Sequence, residues 1–243
     1  MALHHQSVFS FALSSFSFFK NYFNIDGFYL NGIDWLASSA EGVTFLKCLN
    51  LLQTRLSEHG ITIASCKGKV PALCQKLLEG GIGCKYALNS NEELDLLVDH
   101  QQLLKVIQNT SPYSNCVSIN LTEGHQESKM NIFLTYLACE KGVLCEGIVQ
   151  KYEEVIRKIL KLRSQAEFFE ESFKVLECNE QRIIGERGRT LIFFNFGQEE
   201  SEFCHESLDQ CEVIFNSEGE EIVREKGSIV LKGRSCVLLE ISQ

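Results

Sequence analysis

Few residues of this chain stand at spacings suited to chemistry, and each grouping lacks a member. Cys204-His205 with Cys211 comes nearest to a metal site. A closed zinc site takes four ligands, and this cluster offers no convincing fourth, so no metal is expected. Glu79-Gly80-Gly81-Ile82-Gly83 has the glycine content of a phosphate-cradling loop, but it lacks the G-x-G-x-x-G spacing and a following Gly-Lys-Ser/Thr. No nucleotide or other cofactor is expected. His125 stands alone in a loop, where an imidazole is ordinarily solvated. The stretch around which the chain is organised is Tyr22 to Leu36, Y-F-N-I-D-G-F-Y-L-N-G-I-D-W-L. Its apolar run, bounded by Asp26-Gly27 and Asn31-Gly32, predicts a short buried strand fed by a Phe-rich helix over Val8 to Phe23.

Asp26-Gly27-Phe28-Tyr29-Leu30-Asn31-Gly32 is similar to D-G-F-R-F-D-G, the fourth-strand motif of the 1,4-alpha-glucan (glycogen) branching enzymes of the alpha-amylase superfamily. The resemblance implies that Tyr29 stands where the family has an orienting Arg, and Asn31 where it has the nucleophilic Asp. Retaining glycosyl transfer needs two carboxyl groups, one attacking the anomeric carbon and one protonating the leaving oxygen. An Asn amide is a poor nucleophile and carries no charge to stabilise an oxocarbenium ion. Ile61-Thr62-Ile63-Ala64 and Pro71-Ala72-Leu73-Cys74 match both ends of the fifth-strand motif I-T-I-A-E-D-V-S-G-M-P-A-L-C without a gap. There Ser65 takes the place of the acid/base Glu and Cys66 that of the next acidic residue. A serine hydroxyl cannot protonate a glycosidic oxygen as a tuned carboxylic acid can.

Downstream, Glu79 to Leu88 resembles the sixth-strand entry G-G-G-G-F-D-Y-R-L, and Asn115-Cys116-Val117-Ser118-Ile119 the seventh strand. In the family the seventh strand runs into a His-Asp pair that binds the sugar. Counting without a gap puts Glu123-Gly124 at that pair, and a two-residue shift puts Leu121-Thr122 there. Neither register restores it. Lys129 to Cys139 and Gly142 to Gly147 resemble the last barrel helix and strand. Apolar periodicity predicts further helices over Glu41 to Glu58, Glu92 to Gln108 and Ile148 to Arg163. From Ser172 the pattern changes to short strands: Phe173 to Glu177, Arg182 to Glu186, Thr190 to Phe196, Cys211 to Asn216, Ser228 to Leu231 and Ser235 to Ile241. Arg182 to Phe196 is similar to the opening of the superfamily's C-terminal β-sandwich.

The expected fold class is therefore α/β: a partial (β/α)8 barrel, its second half, over residues 1–163, followed by an all-β C-terminal sandwich domain over 172–243. Candidates for barrel strands four to eight are present, and nothing resembles one to three. The family's catalytic positions are occupied by Tyr29, Asn31, Ser65, Glu123 and Gly124, so none is intact. The resemblance then implies a catalytically degenerate homologue, expected not to be an active enzyme, that binds an α-glucan or regulates a glycogen enzyme. The alternatives are an interaction protein whose half-barrel docks on another chain, and residual branching transferase activity.

Composition bounds the partners. At 243 residues, 44% hydrophobic and 23% charged, the chain can bury a substantial core. A formal net charge of -9 and a pI near 5.3 disfavour nucleic acid, whose phosphates call for clustered Lys and Arg. A neutral α-glucan or a glycogen-metabolism enzyme fits better, with homo- or hetero-oligomerisation through the open barrel edge. Eleven Cys without a C-x-x-C pair read as reduced thiols of a reducing compartment. The apolar N-terminal segment lacks a cationic flank and a cleavage site, and it is expected to be a buried amphipathic helix rather than a signal peptide. No run reaches the ~18 apolar residues needed for a membrane span, so a cytoplasmic protein with no membrane partner is expected.

Overall fold

The computed structural model describes residues 2–57, 60–67, 72–78, 82–110, 113–121, 129–147, 153–165, 171–219 and 222–242. Helices and strands alternate through its first two thirds. The order is α1 (Gln6–Phe23), β1 (Gly27–Leu30), α2 (Asp34–Ser38), α3 (Ala40–Leu56), β2 (Ile61–Cys66), α4 (Ala72–Leu78), β3 (Tyr86–Leu94), α5 (His100–Gln108), β4 (Cys116–Leu121), α6 (Lys129–Ala138), β5 (Gly142–Gly147) and α7 (Glu153–Arg163). The five strands form one sheet in the order β1-β2-β3-β4-β5, with β1 parallel to β2 and β2 parallel to β3. Strictly sequential order with a helix in every connection is the progression of a (β/α) barrel. A doubly wound sheet would reverse direction at a switch point. The expected partial barrel is present.

Antiparallel strands follow: β6 (Lys174–Cys178), β7 (Arg182–Arg187), β8 (Thr190–Asn195), β9 (Ser201–Cys204), β10 (Cys211–Asn216), β11 (Val223–Glu225), β12 (Ser228–Leu231) and β13 (Ser235–Ile241). They make a five-stranded sheet in the order β10-β13-β8-β7-β6 and a three-stranded sheet β11-β12-β9, the expected sandwich. Two of these strands, β9 (S-E-F-C) and β11 (V-R-E), carry too few apolar residues to show as a strand pattern. By internal contacts the chain divides into two compact units, Met1–Glu93 with Thr110–Ser118 and Leu94–Asn109 with Ile119–Gln243. That grouping follows packing, so α5, α6, β5 and α7 fall in the same unit as the sandwich, whereas a division between 163 and 172 follows the change of architecture.

In the first unit, α1 lays one face on the sheet and its cover. Phe9 meets Phe45 edge-on at 5.5 Å and Phe16 meets Phe28 at 4.7 Å, geometries that suit the ring quadrupoles. The helix ends at Asn24 in the left-handed conformation, φ 51°, a usual place for Asn. The buried Lys20 donates to Ile25 O at 2.5 Å. The expectation of a buried helix is corrected here: Phe11 and Tyr22 are 74% and 72% exposed, and Phe18, Phe19 and Phe23 are exposed too. Phe18 stacks on Tyr22 at 5.1 Å and Phe19 on Phe23 at 5.7 Å, the i,i+4 pairs of a helix surface. So many aromatics surround this helix that no single apolar stripe can bury them all. A second correction falls between β3 and α5. The helix expected from Glu92 starts at His100, because β3 continues to Leu94 and Asp99 caps α5, its Oδ1 accepting from Gln101 N and Gln102 N at 2.9 and 3.0 Å.

In the second unit, the residues of β8 are buried throughout. Phe193 packs on Phe203 of β9 edge-on at 5.7 Å, inside a core that includes Leu191, Ile229 and Val237. On the other side, Phe133 of α6 meets Phe215 of β10. Arg187 of β7 is wholly buried. It donates to Leu137 O at 3.0 Å and Cys139 O at 3.2 Å, at the C-terminal end of α6, and through Nε to Glu171 O at 2.9 Å. Arg163, also buried, donates to Tyr136 O and Lys141 O. Burial, and then the charge of Arg163, push the Arg187 pKa down to about 10, which leaves it a cation at neutral pH. Replacing Arg187 by Met strands these carbonyls in the interior at a cost on the order of 3 kcal/mol. The expected outcome is a melting temperature lower by about 6 to 12 °C in scanning calorimetry; a change within the scatter of repeat scans would show that the guanidinium contributes nothing to stability.

Candidate functional site

The register of β1 on β2 pairs Tyr29 with Ile63 and Leu30 with Ala64, so the next residues, Asn31 and Ser65, lie side by side at the C-terminal ends of their strands. Side chains alternate along a strand. Phe28 and Leu30 pack with Ala64 and Cys66 in the core beneath the helices, which leaves Tyr29, Asn31 and Ser65 on the opposite face. The ends of adjacent parallel strands are where barrel enzymes carry their active groups. Ser65 is buried, whereas Asn31 is exposed and Tyr29 is 42% exposed.

The two neutral side chains are joined directly. Ser65 Oγ donates to Asn31 Oδ1 at 2.8 Å and accepts from Gly32 N at 3.2 Å. Gly32 has φ +62°, a left-handed turn that glycine adopts without strain and that points its amide back at the serine. Ile33 N donates to Ser65 O at 3.0 Å. Asp34, at the start of α2, accepts from Lys67 N at 2.9 Å. The segment 31–34 is thus stitched to 65–67 by main-chain and side-chain bonds together. Gly32, which the sequence marked as the end of the strand, and Asp34, which it gave no role, both belong to this site; the G-x-D that follows Asn31 was the available signal, since glycine and aspartate are the residues of tight turns.

Chemically, the pair offers hydrogen bonds and no titrating group. With Oδ1 engaged by Ser65, the exposed Asn31 amide still carries N–H donors for a ligand hydroxyl. Cys66 is no nucleophile: a hydrogen bond with Cys74 and then burial push its pKa well above the ordinary thiol range, and only a thiolate attacks. Glu123 and Gly124, with His125, lie outside the described residues. The other sequence candidates take local roles. His205 Nδ1 accepts from Ser207 N at 3.2 Å and the Cys211 thiol donates to Ser207 O at 3.0 Å. Gly83 turns the chain at φ +78°.

No protein-family model matches the chain, and no curated protein matches it. Solved structures do. An alpha-amylase from Anoxybacillus superposes with a TM-score of 0.62 at 10% identity, covering 100% of this chain and 65% of its own. The Nostoc punctiforme debranching enzyme gives 0.61 at 12%, covering 96% and 61%. The cyclic alpha-maltosyl-(1→6)-maltose hydrolase of Arthrobacter globiformis gives 0.60 at 12%, covering 98% and 61%. The fold is that of the alpha-amylase-type enzymes. The chain spans less than two thirds of the length of these neighbours.

This finding overturns the expectation of an inactive protein. Chains of the same fold are named as amylases and hydrolases, and the present chain corresponds to only part of each. A missing carboxylate pair at positions 31 and 65 does not by itself establish inactivity. The geometry makes its own prediction. Ser65→Ala removes one hydrogen bond given and one received, and it is expected to cost about 1 to 2 kcal/mol in urea unfolding at unchanged m-value, while Ser65→Thr, which keeps the hydroxyl, costs less. Equal losses for the two variants would show that packing, not the hydroxyl, governs this position.

Proposed function

We propose that this chain is an α-glucan-handling polypeptide of the branching-enzyme type, which binds α-1,4-linked glucan at the C-terminal ends of β1 and β2. The observation that carries the reading is the Ser65–Asn31 hydrogen bond of 2.8 Å at those strand ends, next to the exposed ring of Tyr29. A glucose unit presents vicinal hydroxyls that both donate and accept, together with an apolar ring face. An amide and an aromatic ring complement those features without any charge. The D-G-F-Y-L-N-G and I-T-I-A-S-C segments support the branching-enzyme type, and the amylase, debranching-enzyme and cyclic alpha-maltosyl-(1→6)-maltose hydrolase neighbours support the substrate class. A net charge of -9 suits a neutral polymer. Eleven cysteines at irregular spacings without a C-x-x-C pair support a reducing, cytoplasmic setting. Among the described residues no helix is long and apolar enough to cross a membrane.

The test is co-sedimentation with glycogen and calorimetric titration with maltoheptaose. Binding is expected, and Tyr29→Ala with Asn31→Ala is expected to weaken it about tenfold, near 1.4 kcal/mol, at an unchanged melting temperature. Glycogen pellets free of the protein would end this reading.

A second reading is favoured by one observation. β1 is an edge of the five-stranded sheet, and the helix packed on it exposes Phe18, Phe19, Tyr22 and Phe23. Unpaired strand edges flanked by apolar surface recruit partners. In this reading the half-barrel docks a parallel β/α segment of another chain, a second copy or a glycogen-metabolism enzyme, along β1. Sedimentation velocity over a range of concentrations, alone and with a glycogen enzyme, is expected to show a complex that Phe18→Lys with Tyr22→Lys dissolves. A single concentration-independent species in every mixture would exclude it.

A further inference from the structure

A cleft of about 270 Å³ opens within the second unit, lined by α5 and the segment before it, α6 and three loops of the sandwich. Its walls carry Arg234, Asp99, Glu180 and Asn131, with Met130 and Phe196 among its apolar residues. The backbone at Arg234 is the signal. This residue holds φ +53°, a left-handed conformation that costs a non-glycine side chain energy and persists where the surroundings over-determine it. They do so here. Arg234 N donates to Gly197 O at 2.9 Å, and a Cβ on the preceding Gly233 would stand 2.0 Å from Gln198 O, so only glycine permits that approach. The buried Asn195 fastens the same loop, its Nδ2 donating to Lys232 O at 3.0 Å and to Glu199 O at 2.8 Å. With its amide oxygen turned inward, Gln198 accepts from Arg234 Nε at 3.1 Å and from Nη2 at 2.5 Å. A guanidinium has been fixed in place at a cleft, and glycine would have made the turn more easily.

The other walls are equally pre-set. Asn131 Nδ2 donates to Leu96 O and Val98 O, both at 2.9 Å, which leaves Oδ1 as its acceptor. Glu180 sits on the tight turn between β6 and β7. That turn is held by Gln181 N and Arg182 N donating to Asn179 Oδ1, and by His100 Nε2 donating to Asn179 O at 2.7 Å. The His100 ring lies flat on Phe196 at 3.9 Å. Asp99, Glu180 and Arg234 form no ion pair among the described residues; beside the Oδ1 that caps α5 Asp99 has Oδ2 for a ligand, and beside the two nitrogens held by Gln198 Arg234 has Nη1. One cation with two carboxylates repels an anion. Neutral vicinal hydroxyls satisfy all three groups, accepting from the guanidinium and donating to the carboxylates and to Asn131 Oδ1. Met130 and Phe196 then meet the C–H face of the ring.

We propose that this cleft is a saccharide subsite that takes one or two pyranose units, separate from the β1–β2 strand ends. The choice of an α-1,4-glucan as its occupant rests on the function proposed above; the pyranose class rests on the cleft. The test follows backbone amide shifts of the whole chain on addition of maltotriose and, separately, cellobiose, in the parent protein, in Arg234→Gly and in Asn31→Ala. Maltotriose is expected to shift the amides around Asn131, Glu180 and Arg234. Arg234→Gly is expected to weaken those shifts at least tenfold in affinity while holding or raising the melting temperature, since glycine relieves the left-handed backbone; Asn31→Ala is expected to leave them unchanged. Glu180→Gln serves as a second variant, expected to weaken binding at an unchanged melting temperature. Shifts by maltotriose confined to the surroundings of Asn31 would overturn this inference and leave the α-glucan function standing. Shifts at the cleft by cellobiose, with none by maltotriose anywhere, would support a pyranose site and sink the α-glucan function. Cleft amides that respond to neither sugar, or a lower melting temperature in Arg234→Gly with undiminished binding, would overturn the subsite.

Discussion

Two guanidinium groups converge on the last turn of α6, and the packing of the second unit depends on them. The last carbonyls of an α-helix have no partner within the helix, and the aligned peptide dipoles give that end a partial negative charge. Here it is buried, with Ile132 through Cys139 all out of solvent, so water cannot serve it. Arg187 from β7 and Arg163 from α7 serve it instead. A guanidinium suits this task because its donors are several and their directions fixed. Two cations held near each other are unfavourable in isolation, and the charge of Arg163 lowers the stability of the Arg187 cation, but the ring of carbonyls offsets that repulsion. A strand of the sandwich is in this way bonded to a helix of the barrel segment.

The strand-end site is built on a different principle. At the ends of β1 and β2, hydrogen bonds between neutral groups do what charge does around α6. The serine hydroxyl both gives and receives, and the backbone of 32–34 follows it. A charge is costly to bury unless paired, whereas an amide and a hydroxyl satisfy each other in place. Such a site is compatible with a burial as complete as that of Ser65. It is suited to recognising hydroxyls more than to moving protons, because neither group titrates in the ordinary range.

The exposed aromatic face of α1 and the place of β1 at the edge of the sheet among the described residues belong to one geometric fact. A parallel strand at the limit of a sheet needs a neighbour, and the helix that precedes it in a barrel covers the seam between that neighbour and the strand. One half of α1 finds its seam on Phe28 and Phe45. The other half faces outward with four aromatic rings stacked on one another, which reduces their contact with water without removing it. Self-stacking of this kind is what remains to a helix whose second surface is uncovered.

Much of the architecture was legible from order and period alone. Alternating helices and strands in unbroken sequence mean a parallel sheet, because each crossover carries the chain back to the same end. The motif at Asp26–Gly32 and that at Ile61–Cys74 located the two strand ends correctly, because turn residues and apolar runs are local signals. Local signals also had limits. They extended a helix into β3 at Glu92, where strand pairing outweighed periodicity, and they hid β9 and β11, which exist only through their pairing with β12. The aromatic content of α1 reads the same whether a face is covered or bare. The meeting of Ser65 with Asn31 depends on a register between strands thirty-four residues apart, and the burial of Arg187 on a helix end nearly fifty residues earlier. Residue types alone carry no information on such distances: a buried arginine and a solvated one are the same letter, and only the carbonyls that tertiary packing places around it decide which it is.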